Sequence, residues 1–238
     1  PLNLLPLACI SLLHFVKIGS LMKKLKIDIV SDVMCPWCII GYKNLETALA
    51  QLSDEFTAEI SWKPFELNPD MPVVGQDLNE HLALKYGLTE EQGDENRKRI
   101  LEMGEQAGFD FNFDGKRIMI NSFDLHRLLT WAATEGKQTE LKLAFFKAHF
   151  TDLVYLNEQD TLLDVVQSVG LDRARAKEIL DSGEYFQEVR SEQSALQQMG
   201  ITSVPTFIIN EQYALTGGQP SDAFVQAFKQ IAEQEAQQ

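Results

Sequence analysis

Cysteine and basic side chains are both scarce in this chain of 238 residues. Its three cysteines are too few for a fold held together by disulfides. Its 21 lysines and arginines stand against 35 aspartates and glutamates, which gives a formal net charge of −14. Because nucleic acids and anionic membranes bind to basic surfaces, this charge argues against both as partners. Internal repeats and low-complexity tracts are also absent, and the 45% hydrophobic content is typical of a globular protein with a substantial core.

The first segment, residues 1–21, is apolar but lacks the features of an export signal or a membrane span. No lysine or arginine precedes Lys17, although secretory signals place basic residues ahead of their apolar core. The apolar run is also interrupted and short for a bilayer. We interpret residues 1–22 as a non-native or disordered leader that ends at a natural start near Met22, with a truncated export signal as the alternative. We therefore expect a cytoplasmic protein, in which a thiol pair is typical of catalysis or regulation.

The most informative motif is Cys-Pro-Trp-Cys at residues 35–38, which lies between a predicted strand and a predicted helix. Residues 25–30 alternate apolar with polar side chains and then become wholly apolar, as in a buried strand. Apolar residues recur at helical spacing over residues 39–52. Pro36 suits the first helical position, because its missing N–H would have no intrahelical partner there. Cys35 therefore begins the helix, where free N–H groups and the helix dipole favour its thiolate.

This placement predicts Cys35 as the nucleophile and Cys38, one turn further on, as the thiol that resolves a mixed disulfide. A structural zinc site would need about four ligands. The remaining cysteine, Cys9, lies in the leader, and the four histidines lack ligand spacing. A pair of inert core cysteines is the other alternative, but a strand followed by Cys-x-x-Cys and a helix is the context of a redox motif. We expect no metal and no bound cofactor, only the redox-active Cys35–Cys38 pair.

Residues 77–199 have a helical pattern throughout and no convincing strand. Good N-cap residues precede three of the predicted helices, namely Thr89, Asp160 and Asp172. The segment 109–115 alternates phenylalanine with polar residues, which fits either a strand or an ordered loop with its rings packed inward. We interpret this block as an inserted helical domain.

Strand patterns flank the insert on both sides. Residues 58–65 alternate as a second strand, and Pro64 indicates that this strand frays or lies near an edge, because proline removes a ladder donor. After the insert, residues 206–209 form an apolar strand, and an amphipathic helix closes the chain. The sequence thus predicts an α/β domain, residues 23–76 and 200–238, that is interrupted by the helical insert.

Motifs far apart in the chain occur in a combination that is more specific than any one of them. Val-Pro-Thr at 204–206 precedes a strand, and Ser-Asp at 31–32 precedes the cysteine pair. Asn-Ser-Phe-Asp-Leu-His-Arg and Gly-Gly-Gln-Pro occupy 121–127 and 217–220. With Cys-Pro-x-Cys opening a helix after a strand, the chain from about Met22 onward resembles the DsbA-type thioredoxin-fold disulfide oxidoreductases. More narrowly, it resembles their FrnE-like branch, which is largely cytosolic.

The resemblance implies a thioredoxin fold interrupted by an inserted all-helical domain, with a cis bond between Val204 and Pro205 that faces Cys35. The backbone of Val204 would pair with an extended substrate segment, and Pro36 and Trp37 would offer apolar contact beside the disulfide. The activity implied is thiol–disulfide exchange with protein or peptide substrates, as an oxidase, reductase or isomerase. Glutathione is a candidate co-substrate.

Two other functions remain as alternatives. Kappa-class glutathione transferases and 2-hydroxychromene-2-carboxylate isomerases share the inserted-helix plan and use glutathione. They typically have serine where Cys35 stands, and they lack the second cysteine. The second alternative is a non-catalytic chaperone or binding module with an idle thiol pair.

His126 and Arg127 also have two interpretations. They either line the groove and contact a substrate carboxylate or glutathione, or they cap or salt-bridge the helix surface, with His126 partly buried. We prefer the second, because an isolated histidine has no mechanism without a partner.

Overall fold

The computed structural model describes residues 22–115 and 117–237, so the predicted leader lies outside the described residues apart from Met22. The described strands are β1 (Lys23–Ser31), β2 (Phe56–Pro64), β3 (Gln76–Asp77), β4 (Ile118–Met119), β5 (Thr206–Ile209) and β6 (Tyr213–Thr216). The larger sheet has the order β2-β1-β5-β6, and β1 runs parallel to β2 but antiparallel to β5. A smaller sheet pairs β3 with β4.

The helices of the described residues lie before, within and after the insert. They are α1 (Pro36–Gln51), α2 (Leu78–Tyr86), α3 (Glu90–Ala107), α4 (Phe123–Thr134), α5 (Gln138–Phe150), α6 (Gln159–Ser168), α7 (Arg173–Ser182), α8 (Phe186–Gln198) and α9 (Ser221–Glu235). Helix α1 packs against α9, whereas α4, α5 and α8 contact β2. The predicted α/β fold with a helical insert is therefore confirmed. In these residues, no helix combines the length and apolar character needed to cross a bilayer.

The central strands β1 and β5 have the apolar sequences that burial requires. Every residue of β5 is buried, and the second half of β1 is almost wholly buried. Strand β2 lies at the edge of the sheet and ends at Pro64, as the proline predicted. The side-chain amide of Gln138 accepts a hydrogen bond from Trp62 N (2.9 Å) and donates one to Trp62 O (3.0 Å). The first residue of α5 thus binds the edge backbone of β2 in the manner of a neighbouring strand.

The prediction that residues 77–199 contain no strand is wrong at one point. Ile118–Met119 pairs with Gln76–Asp77, and strands of two residues are too short to leave an alternating pattern in the sequence. The segment 109–115 is a loop, as one of its two interpretations predicted. Its rings pack inward, and Phe111 lies edge-on to Phe150 with 5.3 Å between ring centroids.

Two of the three predicted helix caps are confirmed. Thr89 forms a capping box with Gln92, and Asp172 accepts hydrogen bonds from the first-turn N–H groups of α7. The prediction for Asp160 is wrong, because α6 begins at Gln159, two residues earlier than an N-cap at Asp160 implies, and Asp160 lies in its first turn. There its carboxylate pairs with Arg173 on α7 (2.9 Å). A polar residue before an apolar run locates a helix start only to within a residue or two.

Candidate redox-active site

The cysteine pair lies where β1 passes into α1, at the carboxyl end of a central strand. Cys35 is the N-cap residue of α1 (φ −98°, ψ 111°), and Pro36 occupies the first turn, as predicted. The N–H of Cys38 donates to Cys35 O at 3.1 Å, which closes the turn between the two residues. Both cysteines are free thiols; Cys35 is 4% exposed and Cys38 is fully buried. Only the first sulfur is therefore within reach of an incoming molecule.

The two thiols differ in acidity. Interaction with the neighbouring Cys38 thiol, together with burial, raises the pKa of the Cys35 thiol well above its ordinary value. Burial also opposes ionisation of Cys38, but the neighbouring Cys35 thiol, the Ser31 side chain and the charge on Lys142 outweigh it and lower the pKa of Cys38. Cys38 is therefore the more acidic thiol of the pair. The helix-start argument, which places the charge on Cys35 alone, omits Ser31 and Lys142.

A buried lysine from the insert, missed by sequence reasoning, lies behind the cysteine pair. Lys142 on α5 is 1% exposed, and its Nζ donates to Ser31 O at 3.4 Å. The ammonium lies 5.3 Å from the centroid of the Trp62 ring. Burial lowers the pKa of Lys142 to about 8, against the opposing charges of Cys38 and Asp32. The available signal was a lysine on the apolar side of helix α5, directly after Leu141 and three residues before Phe145.

Asp32 holds the turn before the cysteines in place. Its carboxylate is buried and accepts hydrogen bonds from Met34 N (3.1 Å) and Leu67 N (2.7 Å). His126 Nε2 lies 3.8 Å from Asp32 Oδ1. Burial acts to raise the pKa of Asp32, but the neighbouring His126 ring and the two N–H groups outweigh it and lower that pKa. Asp32 is therefore ionised, and it joins the cysteine turn to the segment after β2.

His126 and Arg127 do not line the groove, so their contacts agree with the structural interpretation. His126 is fully buried rather than partly buried, and its Nε2 lies 2.9 Å from Phe65 O. Arg127 donates to the carbonyl of Glu184 at 2.8 Å and to that of Ile179, and it pairs with Asp124. It therefore caps the end of α7 as well as bonding within its own helix.

The Val204–Pro205 loop, which leads into β5, lies beside the cysteine pair. Its peptide bond is cis. Cys35 Sγ lies 3.8 Å from Val204 O, which places the loop backbone against the accessible sulfur. Pro205 O accepts the N–H of Gly217 at 2.8 Å. The loop is thereby tied to the Gly-Gly-Gln-Pro motif at 217–220.

The Gly-Gly motif packs against the first turn of α1. A Cβ atom on Gly218 would lie 3.3 Å from Trp37 O and 3.4 Å from the Trp37 ring. The carbonyl of Gln219 accepts a hydrogen bond from Asn44 at 2.9 Å. A side chain at Gly218 would displace the turn that carries both cysteines, which explains the use of glycine at this position.

A cavity of about 400 Å³ lies between the cysteine turn and the insert. Its walls come from α2, α3, the segment around β4 and the end of α5, so the insert forms one wall. Four predicted site residues line it, namely Cys35, Pro36, Trp37 and Val204. Cys38 and Pro205 lie behind them. The Trp37 ring is half-buried and stacks with Arg99 at 5.3 Å. Among the described residues, no cluster of histidine, cysteine and carboxylate side chains could hold a metal ion.

The fold and this site define a thioredoxin-like protein with a paired-thiol centre. The chain matches the family described as a DSBA-like thioredoxin domain over residues 26–229, and it belongs to that family. It is 31% identical to the crystal structure of a probable DsbA oxidoreductase, SCO1869 from Streptomyces coelicolor, with a TM-score of 0.82. That match covers 87% of this chain and 89% of the other. The chain is also 27% identical to the uncharacterized protein YwbO of Bacillus subtilis (strain 168), over 84% of this chain and 94% of that protein.

More distant structures share the fold. The cytosolic disulfide reductase DsbM from Pseudomonas aeruginosa, solved with GSH, has a TM-score of 0.59 at 18% identity, covering 86% of this chain and 99% of that one. A 2-hydroxychromene-2-carboxylate isomerase has a TM-score of 0.66 at 13% identity, covering 89% and 98%. The chain thus has the same fold as oxidoreductases and as an isomerase.

Proposed function

We propose that the protein is a cytoplasmic thiol–disulfide oxidoreductase of the FrnE-like branch, with Cys35 as nucleophile and Cys38 as resolving thiol. The observation that carries the proposal is the different access of the two sulfurs. Cys35 lines the cavity, whereas Cys38 is buried directly behind it with a lowered pKa. The description of DsbM as a cytosolic disulfide reductase supports the location.

The chemistry is two successive thiolate displacements. The Cys35 thiolate attacks one sulfur of a substrate disulfide, forms a mixed disulfide and releases the other substrate sulfur as a thiolate. Cys38 then attacks the Cys35 sulfur and releases the remaining substrate thiolate, so the substrate gains two electrons and the Cys35–Cys38 disulfide forms. The reverse sequence oxidises a substrate dithiol. Lys142 favours the second step, because its charge stabilises the Cys38 thiolate.

Substrate would lie across Trp37 and the Val204–Pro205 loop. The half-buried Trp37 ring offers apolar surface beside Cys35. The backbone of Val204, 3.8 Å from the Cys35 sulfur, is placed to pair with an extended peptide. Protein or peptide disulfides are therefore proposed as substrates. Glutathione is proposed as co-substrate, supported by the DsbM structure with GSH.

The proposal is tested by trapping the intermediate. A Cys38→Ser variant should accumulate a mixed disulfide at Cys35 when incubated with a peptide disulfide, because the resolving thiol is missing. Peptide mapping after iodoacetamide treatment of the wild type should place the fast label on Cys35. Cys35→Ser is the matched control and should form no mixed disulfide. Fast labelling of Cys38, or insulin reduction that survives Cys35→Ser unchanged, would refute the assignment.

A glutathione-dependent isomerase or transferase is the second candidate, favoured by the largely apolar cavity beside Cys35. Such chemistry needs a single side chain beside bound glutathione, at the place of Cys35, and no resolving thiol. Cys38→Ser would then retain turnover of a 2-hydroxychromene-2-carboxylate, whereas disulfide reductase turnover would be lost in the same variant. The two assays on one variant separate the candidates.

A further inference from the structure

The cavity beside Cys35 lacks acidic side chains. Its described lining residues include no aspartate or glutamate, although the whole chain has 35 of them. Two arginines, Arg97 and Arg117, and two histidines, His81 and His149, lie in its walls. Its volume of about 400 Å³ falls in the range of small-molecule sites, about 300–1,000 Å³. The cavity is therefore electrostatically suited to an anion rather than to a cation.

Arg117 is the cation in this wall that lacks an anion. Its guanidinium lies 4.2 Å from the centroid of the Phe113 ring and 5.8 Å from that of Phe150. Its Nε is buried without a hydrogen-bond partner, and no ion pair within the described chain includes it. Burial and the nearby charge of Arg97 lower the pKa of Arg117 to about 10, so it remains charged at neutral pH. A buried charge without a partner is costly, which favours a ligand that supplies one.

Three other basic side chains line the same cavity, and their charges and hydrogen-bond partners differ from those of Arg117. Arg97 is already paired with Asp94 and bonded to Asn79. Burial and the charge of Arg117 lower the pKa of His149 to about 3, so its ring is neutral and adds no charge. His81 bonds through Nδ1 to Gln76 at 3.0 Å, while its Nε2 is buried without a partner. The cavity wall thus contains two unpartnered buried atoms, Arg117 Nε and His81 Nε2.

We propose that this cavity binds a low-molecular-weight thiol, or its disulfide, that carries a carboxylate. The carboxylate pairs with Arg117, His81 Nε2 bonds to a polar group of the ligand, and the ligand sulfur faces Cys35. This inference rests on the proposed function of the cysteine pair. With the disulfide form bound, the Cys35 thiolate displaces one ligand thiolate, and Cys38 displaces the other as the protein disulfide forms. The ligand disulfide gains two electrons and the protein dithiol loses two.

The kinetic test compares two disulfides in the wild type and in Arg117→Met. Glutathione disulfide carries carboxylates, whereas bis(2-hydroxyethyl) disulfide is neutral. A charged hydrogen-bonded pair contributes roughly 1.5–3 kcal/mol, so the rate ratio of glutathione disulfide to the neutral disulfide should fall about 10- to 100-fold in the variant. Arg117→Lys should restore part of the ratio. Arg173→Met, which removes an arginine paired on the surface of α7, is the control and should keep the wild-type ratio.

A binding measurement separates this inference from the proposed function. S-methylglutathione cannot exchange disulfides, so its calorimetric titration reports the site without the chemistry. It should bind the wild type, and Arg117→Met should weaken that binding about 10-fold or more. Absence of binding to the wild type, or an unchanged rate ratio in a folded Arg117→Met, would overturn the carboxylate site even if Cys35 still exchanges with the neutral disulfide. Absence of exchange with either disulfide, while S-methylglutathione binds, would instead refute the redox function.

Discussion

Replacing Lys142 with methionine should stabilise the fold and change the redox balance of the cysteine pair. Burial lowers the pKa of this lysine from 10.5 to about 8. Each pKa unit corresponds to about 1.4 kcal/mol, so keeping the ammonium charged at neutral pH costs roughly 3 kcal/mol. Methionine removes this cost and has a similar shape. It also removes the hydrogen bond to Ser31 O, which contributes about 1 kcal/mol. The net gain is therefore about 2 kcal/mol for the dithiol form, in which both cysteines are free.

The dithiol form should gain less than the disulfide form, because only the dithiol form contains a thiolate that Lys142 stabilises. The difference favours the disulfide and makes the reduction potential of the pair more negative. A difference of about 1.4 kcal/mol corresponds to about 30 mV for two electrons. The pKa of Cys38 should rise as its cationic neighbour disappears.

The assays are thermal unfolding of both redox forms, equilibration of the thiol pair with glutathione buffers, and titration of the thiolate ultraviolet absorbance. The dithiol form of Lys142→Met should melt about 4–8 °C higher, from about 2–4 °C per kcal/mol for a chain of this size, and the disulfide form should gain more. The folded wild type binds fewer protons than the unfolded chain between about pH 8 and pH 10.5, so its stability should rise with pH there, and the variant should lack this rise.

Lys147→Met is the control, because Lys147 lies on the same helix but is exposed and pairs with Asp152 at the surface. It should leave the potential unchanged. The reasoning would be refuted if Lys142→Met lowered the stability of the disulfide form, or if the potential and the thiolate titration did not move.

Two further substitutions test the supports of the active-site turn. His126→Leu should shift acid unfolding to higher pH. The lowered pKa of Asp32 in the folded state stabilises the fold above the unfolded aspartate pKa of about 3.9. This contribution is lost as the pH falls through the lower pKa of the folded state. This assignment would be contradicted if the loss of stability at acid pH, measured by urea unfolding, were the same in the variant and the wild type. Gly218→Ala should cost about 1–3 kcal/mol through its contact with Trp37. Gly93→Ala, where the nearest atom is 3.9 Å away, should instead stabilise α3 by about 0.5–1 kcal/mol, and equal melting shifts for the two glycines would contradict the packing argument.

Local signals in the sequence located the parts of the site that one strand–helix junction creates. Pro36 and the helical spacing after it placed Cys35 at the N-cap, and the apolar pattern of β5 placed the strand beside it. Lys142 could not be located this way, because it approaches Ser31 from 111 residues along the chain. Arg117 likewise reaches the cavity through the short β3–β4 pair, which leaves no periodic pattern. Contacts that depend on how the insert packs against the sheet have no local signature.

The amide of Gln138, bonded to both backbone groups of Trp62, has a consequence for self-association. The edge of a sheet is a template on which a second chain can add a strand. At Trp62 the Gln138 amide already occupies both the backbone N–H and the backbone C=O, so neither group can pair with a second chain. The insert therefore acts as a cover for the aggregation-prone side of the sheet. If α5 detached during folding or heating, the backbone N–H and C=O of Trp62 would be free to pair with a strand of a second chain. Oligomers that form at this edge would then compete with the return of α5 to the sheet.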